Sequence, residues 1–167
     1  MNANKLAEKS KNLLEKYTLE GYASKRVSFI VATRNRAEYL MQALERSRTL
    51  VTPEDELIII DGGSTDNTAE VVRKYSDIVD IFISEPDKGP GHAFSKGMLL
   101  ARGKYLKQLP DDDIVHPSAM EQSIRVMEEH PEIDLLVCGG TREIGGKVKP
   151  VWLPPGTNYG YSPRDIF

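Results

Sequence analysis

Leu57-Ile58-Ile59-Ile60 is an unbroken apolar run, three of its residues β-branched, and it is ended at once by Asp61-Gly62-Gly63. A strand with one wet face alternates apolar and polar residues, so a continuous run of this kind predicts a strand buried on both faces. That is the condition of a parallel sheet covered by helices on either side. The neighbouring segments repeat the constraint. Val27 to Ala32 is a second β-rich run, and beyond the polar stretch Thr33-Arg34-Asn35-Arg36 come Tyr39, Leu40, Ala43 and Leu44 at helical spacing. A further helix opens in Thr65-Asp66-Asn67-Thr68, with Asn67 and Glu70 at capping-box separation. Ile78 to Ile83 reads as a third strand, Ala93 to Ala101 as a third helix and Tyr105 to Leu109 as a fourth strand. Strand and helix alternating at this pitch predict an α/β chain with a mainly parallel, doubly wound sheet.

After Pro117 a helix is expected through Glu129, with Met120, Ile124 and Met127 on one face and His130-Pro131 as its stop. Leu135 to Cys138 predicts another strand, in which Cys138 would be a buried and unreactive thiol. Glu143 to Val148 predicts a hairpin turned at Gly145-Gly146. Residues 1–24 carry Leu6, Leu13, Leu14 and Tyr17 on one face of an expected amphipathic helix, which would pack on the domain, on a second copy or on a further domain. Residues 25–167 are then read as one domain, which stops in a Pro-, Gly- and Tyr-rich tail and is expected to continue into an acceptor side beyond Phe167.

Composition excludes several classes of function. Twenty-two basic against twenty-five acidic side chains give a net charge of -3, with no basic field to attract nucleic acid. No segment reaches the roughly 18 apolar residues of a membrane span. The single cysteine rules out a disulfide framework and is compatible with a reducing cytoplasm, so a cytoplasmic protein is expected.

The chemistry-bearing residues fall just past strand ends, where open α/β sheets bind ligands. They are Thr33 to Arg36, Asp61, Asp87-Lys88-Gly89 and Asp111-Asp112-Asp113. The last three oppose one another's ionisation unless a cation or donors sit among them, and a divalent metal is the natural cation. Each has a plainer alternative: Asp61-Gly62-Gly63 as a tight turn, Lys88-Gly89-Pro90-Gly91 as a loop, and the Asp cluster as a helix cap, for which one carboxylate would suffice. Neither glycine-rich stretch has P-loop spacing, and His92 and His116 have no partner at zinc-ligand spacing.

Taken in order, Thr33-Arg34-Asn35-Arg36-Ala37-Glu38-Tyr39-Leu40, Ile60-Asp61-Gly62-Gly63-Ser64-Thr65-Asp66, Glu85-Pro86-Asp87-Lys88-Gly89 and Gly103-Lys104-Tyr105 leading to the Asp cluster resemble the family-two glycosyltransferases of the GT-A fold. The resemblance covers about Val27 to Gly140. It implies a three-layer GT-A domain, a nucleotide-diphospho-sugar donor (a UDP-sugar first), a saccharide, lipid-linked or protein acceptor, and transfer with inversion. Thr33, Arg34 and Arg36 match the nucleotide-pocket loop, and Asp61 matches the carboxylate that accepts from a ring N–H. Asp87 and Lys88 match the loop near ribose and diphosphate. Asp112 and Asp113 match the ligands of Mn2+ or Mg2+, with Asp111 beside them on the donor.

Pro110 departs from the family pattern where its first Asp stands, His92 where an Asp is common and Ser95 where an Asn is common. The family's base is a carboxylate beyond the Asp cluster. None of Glu121, Glu128, Glu129, Glu132, Asp134, Glu143 and Asp165 is assigned that role, and the base is expected beyond Phe167. Two other readings stand beside this one. A sugar nucleotidyltransferase would need glycines that the loop after Val27 to Ala32 lacks, and a non-catalytic nucleotide-sugar-binding module is favoured by Pro110.

Overall fold

The computed structural model describes residues 24–151. The helix expected over 1–24 therefore lies outside the described residues but for Ser24, as does the tail beyond Val151. The described residues fall into two compact units divided between Met120 and Glu121.

The first unit holds β1 (Lys25–Thr33), α1 (Ala37–Leu50), β2 (Glu56–Asp61), α2 (Thr68–Lys74), β3 (Ile81–Ser84), α3 (Pro90–Leu100) and β4 (Gly103–Gln108). All four strands are parallel, in the order β3-β2-β1-β4. Ile30 lies against Ile58 and Gln108, and Ile58 against Ile81. The chain steps outward from β1 to β2 to β3, then returns to the other side of β1 for β4. The order reverses between β1 and β4, which is where sheets of this class open a crevice.

Every residue of β2 is buried, as the apolar run predicts. Ile30, Ile58 and Ile60 meet Ala93 and Ala101 on one face, with Phe94, Ile81 and Ile83 alongside. Helix α3 can lie that close because Gly97 presents no side chain; a Cβ there would collide with Cγ2 of Ile30. Phe29, Val31, Leu57 and Ile59 alternate onto the opposite face and are wholly buried. That leaves the mutually packed α1 and α2, through Leu40, Ala43, Leu44, Val71 and Val72, to cover it.

The N-terminal edge of the sheet is tied by buried charge. Glu56, with no solvent exposure, accepts from Ser28 Oγ at 2.6 Å and from the Arg102 guanidinium at 2.8 and 2.9 Å, and also from the Arg102 amide. Next to it Asp55 accepts from Arg26 at 3.0 Å and from the amide and hydroxyl of Thr52.

The helix start at Thr68 differs from the expected capping box: Asn67 makes no side-chain cap bond. Asp66 takes that place, accepting from the Thr68 amide at 3.1 Å and the Ala37 amide at 3.0 Å, so one carboxylate serves the N-termini of α1 and α2.

The second unit contains most of α4 (Pro117–Glu129) and the hairpin β5 (Gly140–Ile144) and β6 (Lys147–Val151). The turn is at Gly145 and Gly146 as expected, both with positive φ (55° and 73°), which glycine adopts freely. Leu135 to Cys138 is not a strand, and Cys138 is exposed rather than buried. The run is short, runs straight into Gly139-Gly140, and finds no neighbouring strand among the described residues; without a ladder, backbone groups in an extended segment stay with water. Leu135 and Val137 are exposed with it, and Cys138 Sγ lies 3.4 Å from Ser123 Oγ.

Candidate functional site

Four loops leave the carboxyl ends of the four parallel strands, and hydrogen bonds stitch them together. The loop after β1 begins at Thr33, whose carbonyl accepts from the Gly62 amide at 2.9 Å. Asn35 takes a left-handed conformation (φ 52°), which Asn tolerates better than most residues. Its amide donates to Ser64 Oγ at 2.7 Å and its Oδ1 accepts from the Thr65 amide at 2.8 Å. Loops one and two are thus clasped on both sides of Asn35.

Asp61, the last residue of β2, is buried at 1% exposure. Its carboxylate accepts from the Ser64 amide at 3.1 Å, from Ser64 Oγ, and from Ser84 Oγ at the end of β3 at 2.6 Å. A carboxylate offers about four lone-pair directions, so three donors leave room for one more. Gly62 is required by close approach: a Cβ there would lie 2.7 Å from Asp87 Oδ2 and 3.2 Å from Arg34 Cδ. Arg34, Gly62 and Asp87 therefore converge at one point, although they come from three different loops.

Asp87 is itself held, its Oδ1 accepting from the Gly89 amide at 2.8 Å where the chain turns into α3 with φ 114° at Gly89. The Lys88 amide donates to His92 Nδ1 at 3.1 Å while the Lys88 side chain is exposed. Lys96 pairs with Glu85 at 2.8 Å and so steadies the stem of the same loop.

At the reversal point between β1 and β4, Thr33 Oγ1 donates to Asp111 Oδ2 at 3.0 Å. Asp111 is 4% exposed, and Arg46 Nη2 reaches its carbonyl at 3.4 Å. Nη2 of Arg36 lies between two carboxylates, 3.1 Å from Asp111 Oδ1 and 3.0 Å from Asp112 Oδ2, and the guanidinium rests on the Tyr39 ring at 4.3 Å. Burial pulls the Arg36 guanidinium down, but Asp111 and Asp112 more than offset this and hold it above its usual value. Burial pushes the Asp111 carboxyl up, and the adjacent Asp112 adds to that against the pull of Thr33 and Arg36. Asp112 and Asp113 are exposed, and the Asp113 amide closes a turn on the Pro110 carbonyl at 3.1 Å.

Among the described residues no three side chains converge to hold a metal ion by themselves. A divalent cation here would take Asp112 and Asp113 together with oxygens from a ligand, a donor set of hard oxygens that suits Mg2+ or Mn2+. The exposed carboxylates fit that use.

The glycosyl transferase family 2 model matches residues 28–165. The chain belongs to glycosyl transferase family 2. Curated relatives of this family-2 chain include a poly-beta-1,6-N-acetyl-D-glucosamine synthase of Staphylococcus epidermidis, 30% identical over 132 residues, which are 75% of this chain and 32% of that protein. An uncharacterized glycosyltransferase of Rickettsia prowazekii is 26% identical over 141 residues, 84% of this chain and 44% of that protein. The chain thus spans less than half the length of these relatives. Among solved structures it is similar to S. aureus TarS in complex with UDP-GlcNAc, with a TM-score of 0.57 and 24% identity over 64% of this chain and 32% of that one. It is also similar to a mannosyltransferase from Pyrobaculum calidifontis in complex with GDP-Man and Mn2+, with a TM-score of 0.56 and 20% identity over 73% of this chain and 39% of that one. The parallel α/β unit has the GT-A fold of these neighbours.

The structure gathers Thr33, Arg36, Asp111 and Asp112 directly, and Asp61 and Asp87 through Gly62. Sequence reading named Asn35 and Ser64 only as members of their motifs and gave Ser84, Arg46 and Tyr39 no part in the site. Ser64, three residues past Asp61, had a local signal, since a serine so placed can satisfy the carboxylate in a turn. Ser84 and Arg46 had none, because only the sheet register and the helix packing bring them in.

Proposed function

We propose that this chain is the donor-binding part of a metal-dependent glycosyltransferase that moves a sugar, with inversion, from a nucleotide-diphospho-sugar to a saccharide, lipid-linked or protein acceptor. The observation that carries the reading is the gathering of Thr33, Asp61, Asp87 and Asp111 along the carboxyl edge of one parallel sheet. Membership of glycosyl transferase family 2 supports the reaction class.

Thr33, Arg34 and Arg36 line the nucleotide pocket, and the remaining lone-pair direction of Asp61 accepts a ring N–H of the base. Asp87 faces the ribose, Lys88 offers a mobile positive charge to the diphosphate, and Asp111 fixes the donor end of the crevice. Asp112 and Asp113 are the carboxylates for Mn2+ or Mg2+, which when bound would supply Lewis-acid neutralisation of charge on the departing nucleoside diphosphate. A uridine nucleotide is the first choice, supported by the UDP-GlcNAc and UDP bound to TarS. The poly-beta-1,6-N-acetyl-D-glucosamine synthase relative supports a saccharide acceptor.

Calorimetric titration of the chain with UDP, GDP, CDP and dTDP, each with Mn2+ and with EDTA, tests this. One nucleotide is expected to bind in a metal-dependent way, and Asp61→Ala and Asp112→Asn are each expected to lose that binding. Absence of binding by all four would overturn the reading. A non-catalytic binding module is the second reading, favoured by Pro110 and by the lack of a three-ligand metal cluster among the described residues. Sugar-nucleotide turnover that disappears in Asp112→Ala would decide against it.

A further inference from the structure

We infer that Arg36 is a resident counter-cation of the Asp111–Asp112 pair and competes with a divalent metal for Asp112, so that the metal must displace the guanidinium to enter. The inference rests on the donor-site reading above and concerns a positioning residue. Three consecutive carboxylates need positive charge among them. The chain already supplies some, with a single nitrogen, Arg36 Nη2, at hydrogen-bond distance from both Asp111 and Asp112.

The two carboxylates are not equivalent. The Asp111 side chain is 6% exposed and is also bonded by Thr33, whereas the Asp112 side chain is 54% exposed and pairs with Arg36. Asp111 therefore anchors the guanidinium, and Asp112 is the carboxylate a cation from solution can reach.

The hold on Arg36 is also incomplete. A guanidinium meets a carboxylate best through two parallel N–H bonds, yet here one nitrogen is shared between two acceptors, and the buried Nε donates to nothing. Tyr39, stacked on the guanidinium, keeps it in place. An arginine so placed gives up Asp112 at small cost, and its freed Nη2 gains when an anionic oxygen arrives to accept from it. A diphosphate carrying its metal brings both the cation that claims Asp112 and the anion that claims Arg36, so the two ligands favour each other's entry.

The test is Mn2+ titrated into the full chain at low salt, alone and with a fixed excess of UDP to supply the ligand oxygens, and read by calorimetry and by the electron-spin signal of free Mn2+. Arg36→Ala is expected to bind Mn2+ about tenfold more tightly than the wild type, from loss of a positive charge a few ångströms from the site. The gain is expected to vanish in Arg36→Ala/Asp112→Asn and to be absent in Arg36→Lys, which keeps the charge. Tyr39→Leu, at a half-exposed position, keeps the arginine and loosens its seat; it is expected to tighten Mn2+ binding by a smaller factor, which protects the test should Arg36→Ala fail to fold. A merely structural role for Arg36 would weaken Mn2+ binding or leave it alone. Equal or weaker binding in both Arg36→Ala and Tyr39→Leu, or no Mn2+ binding in any variant, would overturn the inference. UDP, GDP, CDP and dTDP titrated in parallel separate the two proposals: nucleotide binding without the Mn2+ gain sinks the competition alone, whereas no binding of any of the four to the wild type sinks the donor-site reading.

Discussion

Asp61 owes its candidate role to where β2 stops. It is buried, its carboxylate is aligned by Ser64 and Ser84, and its backbone carbonyl accepts from the Glu85 amide at 3.0 Å, so it can neither rotate nor wander. Asp61→Asn replaces an acceptor by an amide of the same shape; it is expected to weaken binding of a uridine nucleotide by about tenfold, the scale of one charge-assisted hydrogen bond. Equilibrium titration checks this, and an unchanged affinity would remove Asp61 from the base pocket. Gly62→Ala is expected to weaken nucleotide binding by displacing the Asp87 carboxylate, which the new Cβ would approach to 2.7 Å. A nucleotide titration of that variant reads it. At this scale the sequence was legible wherever position alone decides: Thr33, Asp61, Asp87 and Asp111 all lie at or just past strand ends. It placed Arg36 in the loop after β1 but was silent on the pairing of that charge with Asp111 and Asp112 across a long stretch of chain, and on Tyr39, which reads as one more residue on a helix face until the guanidinium is seen upon it.

At the scale of elements, the candidate site and the buried ion pairs of Glu56 and Asp55 lie at opposite ends of the parallel strands. Burial alone would push the Glu56 carboxyl up, but the bonds from Ser28 and Arg102 prevail and hold it below the ordinary carboxylate range; Asp55 is likewise lowered by Arg26 and Thr52 against its burial. In both cases the folded chain binds protons less readily than the unfolded one. Their contribution is fully present above the ordinary carboxylate pKa of about 4 and is lost as pH falls through the lowered folded values. Urea unfolding followed from pH 7 to pH 3 is therefore expected to show stability falling at the acid end, with a shallower fall in Glu56→Gln. That variant is also expected to cost about 2 kcal/mol at pH 7, below the 3–5 of a fully buried broken pair because Arg102 remains half in water. Gly97→Ala, which drives a methyl into Ile30, is expected to cost about 1–3 kcal/mol, read as a lowered melting temperature. Strand and helix existence was legible because unbroken apolar runs and helical spacing are strong local signals. Leu135 to Cys138 failed because a short apolar run becomes a strand only when a neighbour offers a ladder, and the sequence of the run does not report its neighbours.

On the scale of the whole molecule, the central claim is that one topological event makes the site: the reversal of strand order between β1 and β4 puts Thr33 and Arg36 beside Asp111 and Asp112. That class of fold could be read from the alternation of elements, and its ligand edge from the rule that such sheets bind beyond their carboxyl ends. The pairing across the crevice could not, since it depends on which strand neighbours β1. The most direct measurement is residue-by-residue mapping of amide chemical shifts on adding UDP with Mg2+, which avoids the broadening Mn2+ would cause. Shifts concentrated at Thr33 to Arg36, Asp61 to Ser64, Asp87 to Gly89 and Asp111 to Asp113 are the expected result. Shifts confined to the opposite edge, at Arg26, Glu56 and Arg102, or spread without focus over the surface, would contradict it.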